Sequence, residues 1–149
     1  MRIAQITADK EKYLPLLLLG DEQESLVMGY LERGDLFVWE QDGEALGVCV
    51  VTREAPGEYE LQNIAVAPAW QRKGLGRALV EFVWNHYPEL HALRLGTGDS
   101  PSTVGFYEAL GFQETGRERD YFLHAYDHPI FEDGRQLRDR VYFQKRRAR

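Results

Sequence analysis

The stretch that decides the fold is NIAVAPAWQRKGLGRALV, which runs from Asn63 to Val80. An apolar segment ends at Val66, and beyond it two glycines, Gly74 and Gly76, lie among basic side chains. From Leu75 to Val83, apolar residues recur at the spacing of an amphipathic helix, and Tyr87 and Pro88 mark its end. The stretch therefore predicts a strand, a short turn, and a helix that starts around Gly74 and ends near Tyr87.

This strand, turn and helix predict an anion site. The first amide groups of a helix have no acceptor inside the helix, and they point at whatever occupies the preceding turn. Glycines let an anion approach the backbone, while basic and amide side chains add charge and hydrogen bonds. The residues concerned are Gln71, Arg72, Lys73, Gly74, Gly76 and Arg77. The alternative is that the glycines only permit a tight turn and the basic residues form a solvated rim.

Two other phosphate motifs do not fit the stretch. A dinucleotide fingerprint needs a third glycine three residues after Gly76, where this chain has Leu79. A P-loop needs Gly-Lys-Ser/Thr, but Gly76 is followed by Arg77 and Ala78.

Outward from this stretch, strand and helix patterns alternate along the chain. They are a strand MRIAQI, helices over 8–19 and 22–33, strands DLFVWEQ, ALGVCVVTRE and YELQNIAVAP, a strand ALRLGTG, a helix STVGFYEAL, and late strands around YFLHAY and RVYFQ. DGE is a hairpin signal and APGE a second break. In the fourth strand, Leu61 occupies an odd position, whereas Ile64 and Val66 occupy even positions and would point to the opposite face of a regular strand. This change predicts either a bulge between them or burial of both faces.

These elements predict a single α/β domain over residues 1–149. Its sheet is expected to be mixed and mostly antiparallel, with about six to seven strands, a bulged fourth strand and helices on both faces. A chain of 149 residues with 44% hydrophobic content supports one ordinary core and not two.

Charge and composition exclude several classes of partner. With Lys+Arg 18 against Asp+Glu 24, the net charge of -6 disfavours nucleic acid and anionic membranes and suits a cationic substrate. Cys49 can form no internal disulfide, so we expect a small buried side chain in a reducing compartment. The apolar run LPLLLLG is too short to span a bilayer and lacks the features of a signal peptide, which predicts a cytoplasmic soluble protein.

Two motifs resemble one known family, the Gcn5-related N-acetyltransferases (GNAT). Their loop reads Gln/Arg-x-x-Gly-x-Gly/Ala after a strand that ends in IAV-x-P, and NIAVAPAWQRKGLGRALV reproduces it. A second signature appears as FYEALGF, from Phe106 to Phe112. The resemblance covers nearly the whole chain. It implies that the loop amides hold the pyrophosphate of acetyl-CoA, that the strand backbone pairs with the pantetheine arm, and that the bulge splays two strands to admit that arm.

The resemblance also implies which residues act on the substrates. Tyr107 would protonate the departing thiolate, the N–H near Val66 would polarise the thioester carbonyl, and Glu60 would accept the proton of the amine directly or through water. The alternatives are a core tyrosine and a glutamate on the solvated face of an edge strand. Ser100 stands where many relatives carry Asn. The coenzyme-binding residues implied in this way are Ile64, Ala65, Val66, Gln71, Arg72, Lys73, Gly74, Leu75, Gly76, Arg77, Ser100, Phe106 and Tyr107.

The function expected from this resemblance is transfer of an acetyl group from acetyl-CoA to an amine acceptor. The alternative is a non-catalytic acyl-CoA-binding module. We expect no metal, because His124 and His128 lie in a segment with Pro129 and aromatic residues that is typical of a loop. The basic tail QKRRAR is expected to be frayed. The acidic segment GDEQES either lies near the site of the amine acceptor or provides the negative charge that favours the start of a helix. Homodimers are common for this fold, so a homodimer stays open.

Overall fold

The computed structural model describes residues 2–147. The chain divides into two compact units, an N-terminal unit and a C-terminal unit, with the boundary between Leu90 and His91. The expectation of one domain over the whole chain stays a prediction.

The N-terminal unit contains four strands in the order β1-β2-β3-β4, each antiparallel to its neighbour. Its elements are β1 Arg2–Ile6, a 3-10 helix Lys10–Tyr13, α1 Leu14–Gly20, α2 Glu24–Leu31, β2 Asp35–Gln41, β3 Glu44–Ala55, β4 Glu58–Val66, a second 3-10 helix Pro68–Trp70, and α3 Leu75–His86. The hairpin predicted at DGE is confirmed, because Asp42 and Gly43 have φ values of 53 and 78 and join β2 to β3.

Helices cover both faces of these strands. Leu36 and Val38 of β2 pack in a core cluster with residues of α1 and α2, such as Leu17. Phe37 lies between them in the sequence and points to the opposite face, where its ring contacts that of Phe82 in α3 at a centroid distance of 5.4 Å. Burial on both faces explains why β2 and β3 are apolar at consecutive positions instead of alternating with polar residues.

The bulge predicted in the fourth strand is confirmed. Val50 of β3 pairs with Asn63 and Val51 pairs with Leu61, so Gln62 of β4 is an extra residue. An extra residue exchanges the two faces of a strand, because side chains alternate with a period of two.

The contacts of β4 show that exchange. The ring of Tyr59 stacks on that of Tyr87, next to α3, at 4.1 Å between centroids. Asn63 has the same parity but bonds to the carbonyl of Leu17 in α1, on the opposite face. The bulge and burial of both faces therefore occur together.

The C-terminal unit contains three antiparallel strands in the order β5-β9-β6, and a separate hairpin formed by β7 and β8. Its elements are β5 Ala92–Gly98, α4 Pro101–Ala109, β6 Gln113–Glu118, α5 Tyr121–His124, β7 Phe131–Glu132, β8 Arg135–Gln136 and β9 Arg140–Arg146. With four antiparallel strands in the N-terminal unit, and three antiparallel strands and a separate hairpin in the C-terminal unit, the predicted α/β fold with a mostly antiparallel sheet is confirmed.

The predicted strand around YFLHAY is wrong. Asp120 has a left-handed φ of 57, which ends the preceding extended segment, and Tyr121–His124 form one helical turn. Phe122 packs with Ile130 and Leu137, so the aromatic pattern reflects a small local cluster. The sequence reading also missed β6, because its side chains are mostly exposed and carry no apolar alternation.

The tail was expected to be frayed, and this expectation is wrong for its first residues. Gln144, Lys145 and Arg146 belong to β9, and the amide of Arg147 donates to the carbonyl of His91 at 2.7 Å. Residues 148–149 of the same tail lie outside the described part of the chain.

Candidate coenzyme-binding and acetyl-transfer residues

The turn between β4 and α3 contains two left-handed backbone positions. Arg72 has a φ of 62 and Gly74 a φ of 87. A Cβ added to Gly74 would meet no heavy atom within 4 Å, so the glycine is required by its backbone conformation and not by packing. The space beside Gly74 is open to an approaching group.

The first amide groups of α3 have no acceptor within the helix. Gly74 is its N-cap residue and forms no side-chain cap bond, and Ala78 is the first residue whose amide reaches back to the carbonyl of Gly74, at 3.0 Å. The amides of Leu75, Gly76 and Arg77 precede that bond, so the helix offers them no acceptor. Together with the helix dipole, these amides can hold an anion.

The basic side chains of the turn are exposed, and two of them have weak contacts. Lys73 Nζ lies 5.4 Å from the centroid of the Trp70 ring. Arg77 Nε donates to Glu81 Oε1 at 2.7 Å, and both side chains are more than half exposed. Exposed ion pairs of this kind contribute little, so an anionic ligand can replace them.

Gln71, predicted only as part of the anion site, also forms a hydrogen bond within the protein. Its Nε2 donates to the carbonyl oxygen of Val66 at 3.0 Å, which ties the turn to the end of β4. Gln71 therefore fixes the geometry of the turn, whatever it contacts in addition.

The implied pantetheine segment is the last part of β4. Ile64, Ala65 and Val66 pair with Cys49, Val48 and Gly47 of β3. Ala65 is buried, whereas Ile64 and Val66 are half-buried. Cys49 is fully buried, as expected, and burial raises the pKa of its thiol, so it stays protonated at neutral pH.

Glu60 lies on β4 just before the bulge. Its partner in the register is Thr52 of β3, which is buried and accepts a hydrogen bond from Gln62 Nε2 at 3.1 Å. The side chain of Glu60 is half-buried. Glu60 thus belongs to the same strand as Ile64 and Val66, with the bulge between them.

Tyr107 lies in the C-terminal unit, on α4, and only 4% of it is exposed. Its ring contacts those of Phe106, Phe112 and Phe143, with centroids 5.0, 5.6 and 5.9 Å away. Gly111, with a φ of 92, turns the chain after α4 and brings Phe112 back against Tyr107. The FYEALGF motif therefore forms a compact aromatic support that fixes the direction of the phenol.

Ser100 is buried and begins a chain of hydroxyl contacts at the start of α4. Its Oγ lies 3.1 Å from Ser102 Oγ, which donates to Asp133 Oδ2 at 2.5 Å. The hydroxyl of Thr103 donates to Glu132. The sequence analysis missed these partners, because the carboxylates lie about thirty residues further along the chain and EDG indicates only a turn.

The described part of the chain contains neither a cluster of metal-ligating side chains nor a membrane-spanning helix. No group of three or more His, Cys, Asp or Glu side chains within residues 2–147 is arranged to hold a metal ion. His128 Nδ1 lies 2.5 Å from the carboxylate of its neighbour Asp127. None of the helices in those residues is long and apolar enough to cross a membrane.

The candidate residues thus fall into two groups, each within its own unit. Strand β4, the glycine turn and the start of α3 bring together Glu60, residues 64–66 and residues 71–77. Helix α4 brings together Ser100, Phe106 and Tyr107.

Comparisons with known proteins agree with these features. Residues 32–114 match an acetyltransferase (GNAT) domain family. The uncharacterized N-acetyltransferase YvbK of Bacillus subtilis is 35% identical over 144 residues, which are 95% of this chain and 93% of the relative.

Two solved structures with a bound coenzyme have the same fold. A GNAT family acetyltransferase from Elizabethkingia anophelis with acetyl-CoA bound has a TM-score of 0.90 and 29% identity, over 97% of each chain. A Bacillus subtilis acetyltransferase in complex with CoA has a TM-score of 0.86 and 32% identity, over 99% of each chain.

Proposed function

Because the chain belongs to the GNAT acetyltransferase family, we propose that it transfers an acetyl group from acetyl-CoA to a primary amine of a small molecule or peptide. The amine attacks the thioester directly, while both substrates are bound. The observation that carries the proposal is the uncapped N-terminus of α3 behind the left-handed Gly74, beside an accessible turn with basic side chains.

The turn is the proposed pyrophosphate site. Phosphate oxygens accept hydrogen bonds from the amides of Leu75, Gly76 and Arg77, and the basic side chains of Arg72 and Lys73 add attraction. The pantetheine arm extends along the backbone of residues 64–66. This assignment is supported by the acetyl-CoA and CoA that the two similar structures contain.

The proposed chemistry needs a proton acceptor for the amine and a proton donor for the thiolate. The lone pair of the neutral amine attacks the acetyl carbonyl, and the N–H near Val66 stabilises the charge on the carbonyl oxygen. The new C–N bond forms and the C–S bond breaks. The proton of the amine passes to Glu60, directly or through water, and the thiolate takes a proton from the phenol of Tyr107. The products are the N-acetylated amine and CoA.

A second function, a non-catalytic acyl-CoA-binding module, is favoured by one observation. Tyr107 is almost fully buried among three aromatic rings, which is also the environment of a tyrosine that only packs. A binding module would need the turn and β4, but no proton donor.

An amine panel with detection of free CoA thiol distinguishes the two functions. The panel contains polyamines, amino acids, aminoglycosides, and peptides with a free N-terminus or a lysine. We expect at least one amine to release thiol well above the rate of acetyl-CoA hydrolysis, with the acetylated amine identified by mass spectrometry. Tight binding of acetyl-CoA with no acetylated product from any amine would favour the binding module.

A further inference from the structure

Asn63 is a buried polar residue for which neither acetyl transfer nor coenzyme binding gives a role. It lies on β4 between the bulge and Ile64, and only 4% of it is exposed. Its Nδ2 donates at 2.9 Å to the carbonyl of Leu17 in α1 and at 2.9 Å to the hydroxyl of Tyr30 in α2. One side chain therefore joins three elements of the N-terminal unit.

The same contacts continue into the turn between α1 and α2. The hydroxyl of Tyr30 donates to Asp21 Oδ2 at 3.2 Å, and Asp21 Oδ1 accepts the amide of Gln23 at 3.3 Å. The amide of Asp21 also donates to the carbonyl of Leu17 at 3.0 Å. Asn63 is therefore connected to Asp21, the first residue of the turn, through both Leu17 and Tyr30.

The turn lies directly against the proposed coenzyme strand. A Cβ added to Gly20, the last residue of α1, would lie 2.2 Å from Asn63 Oδ1 and 2.7 Å from the carbonyl oxygen of Ile64. Contacts this short exclude any side chain, so glycine permits the close approach. The turn after Gly20 carries the carboxylates of Asp21, Glu22 and Glu24.

The amide of Asn63 has one satisfied end, the Nδ2 group, and one unfavourable end. Its Oδ1 is buried and has no hydrogen-bond partner among the described residues, which is unfavourable for a polar atom. A leucine would leave no donor or acceptor stranded, because the Leu17 carbonyl keeps the amide of Asp21 and the Tyr30 hydroxyl keeps the carboxylate of Asp21. Unlike a leucine, the amide forms hydrogen bonds that join α1 and α2 to β4.

We propose that Asn63 is a positioning residue that holds the acidic turn between α1 and α2 against the coenzyme strand, where the carboxylates of the turn guide a cationic amine to the thioester. This inference rests on the proposed function. In this role Asn63 touches neither acetyl-CoA nor the reacting atoms. It acts through Tyr30 and Asp21.

Two matched tyrosine variants test the inference. Tyr30→Phe removes the hydroxyl that joins Asn63 to Asp21. Tyr87→Phe is the control, because it also removes a hydroxyl bonded to an aspartate of the same unit, Asp35 Oδ2 at 2.6 Å, but far along the chain from the turn. Asn63→Leu and Gly20→Ala are further variants, which remove the amide and push the turn off β4.

The first measurement is hydrogen exchange of the backbone amides of residues 21–24, without any ligand. Tyr30→Phe and Asn63→Leu each remove two hydrogen bonds, which should speed local opening by at least about fivefold. Tyr87→Phe should leave these amides at the rate of the parent protein.

The second measurement is steady-state kinetics with the best amine of the panel. Tyr30→Phe, Asn63→Leu and Gly20→Ala should raise the KM for the amine by about fivefold and leave the KM for acetyl-CoA within about twofold. Tyr87→Phe should change neither KM. A variant that is only less stable would lower the active fraction and not separate the two KM values.

Equal exchange and equal KM values for Tyr30→Phe and Tyr87→Phe would overturn the inference. Faster exchange with an unchanged KM for the amine would also overturn the acceptor role. If no amine is acetylated by the parent protein, the proposed function fails and the acceptor role with it, while the exchange data still decide whether Asn63 fixes the turn.

Discussion

The N-termini of α3 and α4 have opposite charges around them, although neither helix has a side-chain cap bond. Helix α3 follows Gly74 and lies next to the basic residues Arg72 and Lys73. The first turn of α4 donates its hydroxyl groups to two carboxylates of the β7–β8 hairpin, Glu132 and Asp133. The chain therefore supplies negative charge at the start of α4 and leaves the start of α3 for an anion from outside.

This difference has a physical consequence for the two helices. The positive end of a helix dipole attracts negative charge, and a carboxylate of the protein uses that attraction for stability. A helix without such a carboxylate keeps the attraction for a ligand. We therefore expect α3 to serve coenzyme binding and α4 to serve as a fixed support for Tyr107.

The largest effect is expected at Tyr107, on the fixed helix. Tyr107→Phe keeps the ring and removes the proton, so acetyl-CoA affinity should stay within a few-fold while turnover falls by roughly ten- to ten-thousand-fold. Single-turnover rates with an identified amine separate chemistry from product release. Tyr142→Phe is the control, because it removes another hydroxyl of the C-terminal unit, bonded to Glu118. Parental single-turnover rates for Tyr107→Phe would exclude it as the acid.

The next effect is expected at Glu60, on the strand that precedes α3. Glu60→Gln should lower turnover by about tenfold to a hundredfold near neutral pH, because the amine then loses its proton acceptor. The loss should shrink as rising pH deprotonates more of the free amine. Glu58→Gln, two residues earlier on β4, is the matched control. Rate profiles of Glu60→Gln that follow the parent at every pH would remove Glu60 from the mechanism.

The smallest effect is expected at Asp133. Asp133→Asn removes the charge from the bond to Ser102 but keeps a residue that tolerates the left-handed φ of 53 at this position. The free energy of unfolding should fall by about 1 kcal/mol in denaturant titrations, with acetyl-CoA affinity unchanged. A clear loss of affinity would contradict the comparison, because the start of α4 would then serve the coenzyme as well.

The N-terminal unit could be predicted from the sequence because its signals are local. Asp-Gly specifies the β2–β3 hairpin, and the change of parity after Leu61 predicted a bulge or burial of both faces, which occur together around Gln62. The glycine turn before α3 was also visible, since Gly74 is needed for its φ of 87. In each case the physical cause lies within a few residues of the signal.

The C-terminal unit could be predicted only in part, because its contacts are distant in sequence. Tyr121 and Phe122 suggested a strand but form a helical turn, since their rings pack in a cluster closed by Leu137. The bond from Ser102 to Asp133 spans 31 residues and leaves no pattern in the sequence. The contact between Asn63 and Gly20 could not be predicted either, because the two residues are distant in sequence.

The central claim is that the turn before α3 binds the pyrophosphate of acetyl-CoA, and a pair of glycine variants tests it most directly. Gly74 and Gly43 have φ values of 87 and 78, and a Cβ added to either meets no heavy atom within 4 Å. Valine at either site should therefore impose a similar backbone strain, of about 1–2 kcal/mol, in the same unit.

Calorimetric titration with acetyl-CoA compares the two variants after circular dichroism has confirmed that both are folded. We expect Gly74→Val to weaken binding by at least about tenfold, because the Cβ and its methyl groups keep the phosphates from the amides of α3. Gly43→Val should bind within about twofold of the parent protein. Parental affinity in folded Gly74→Val would contradict the claim and leave the glycine as a residue that only makes the turn.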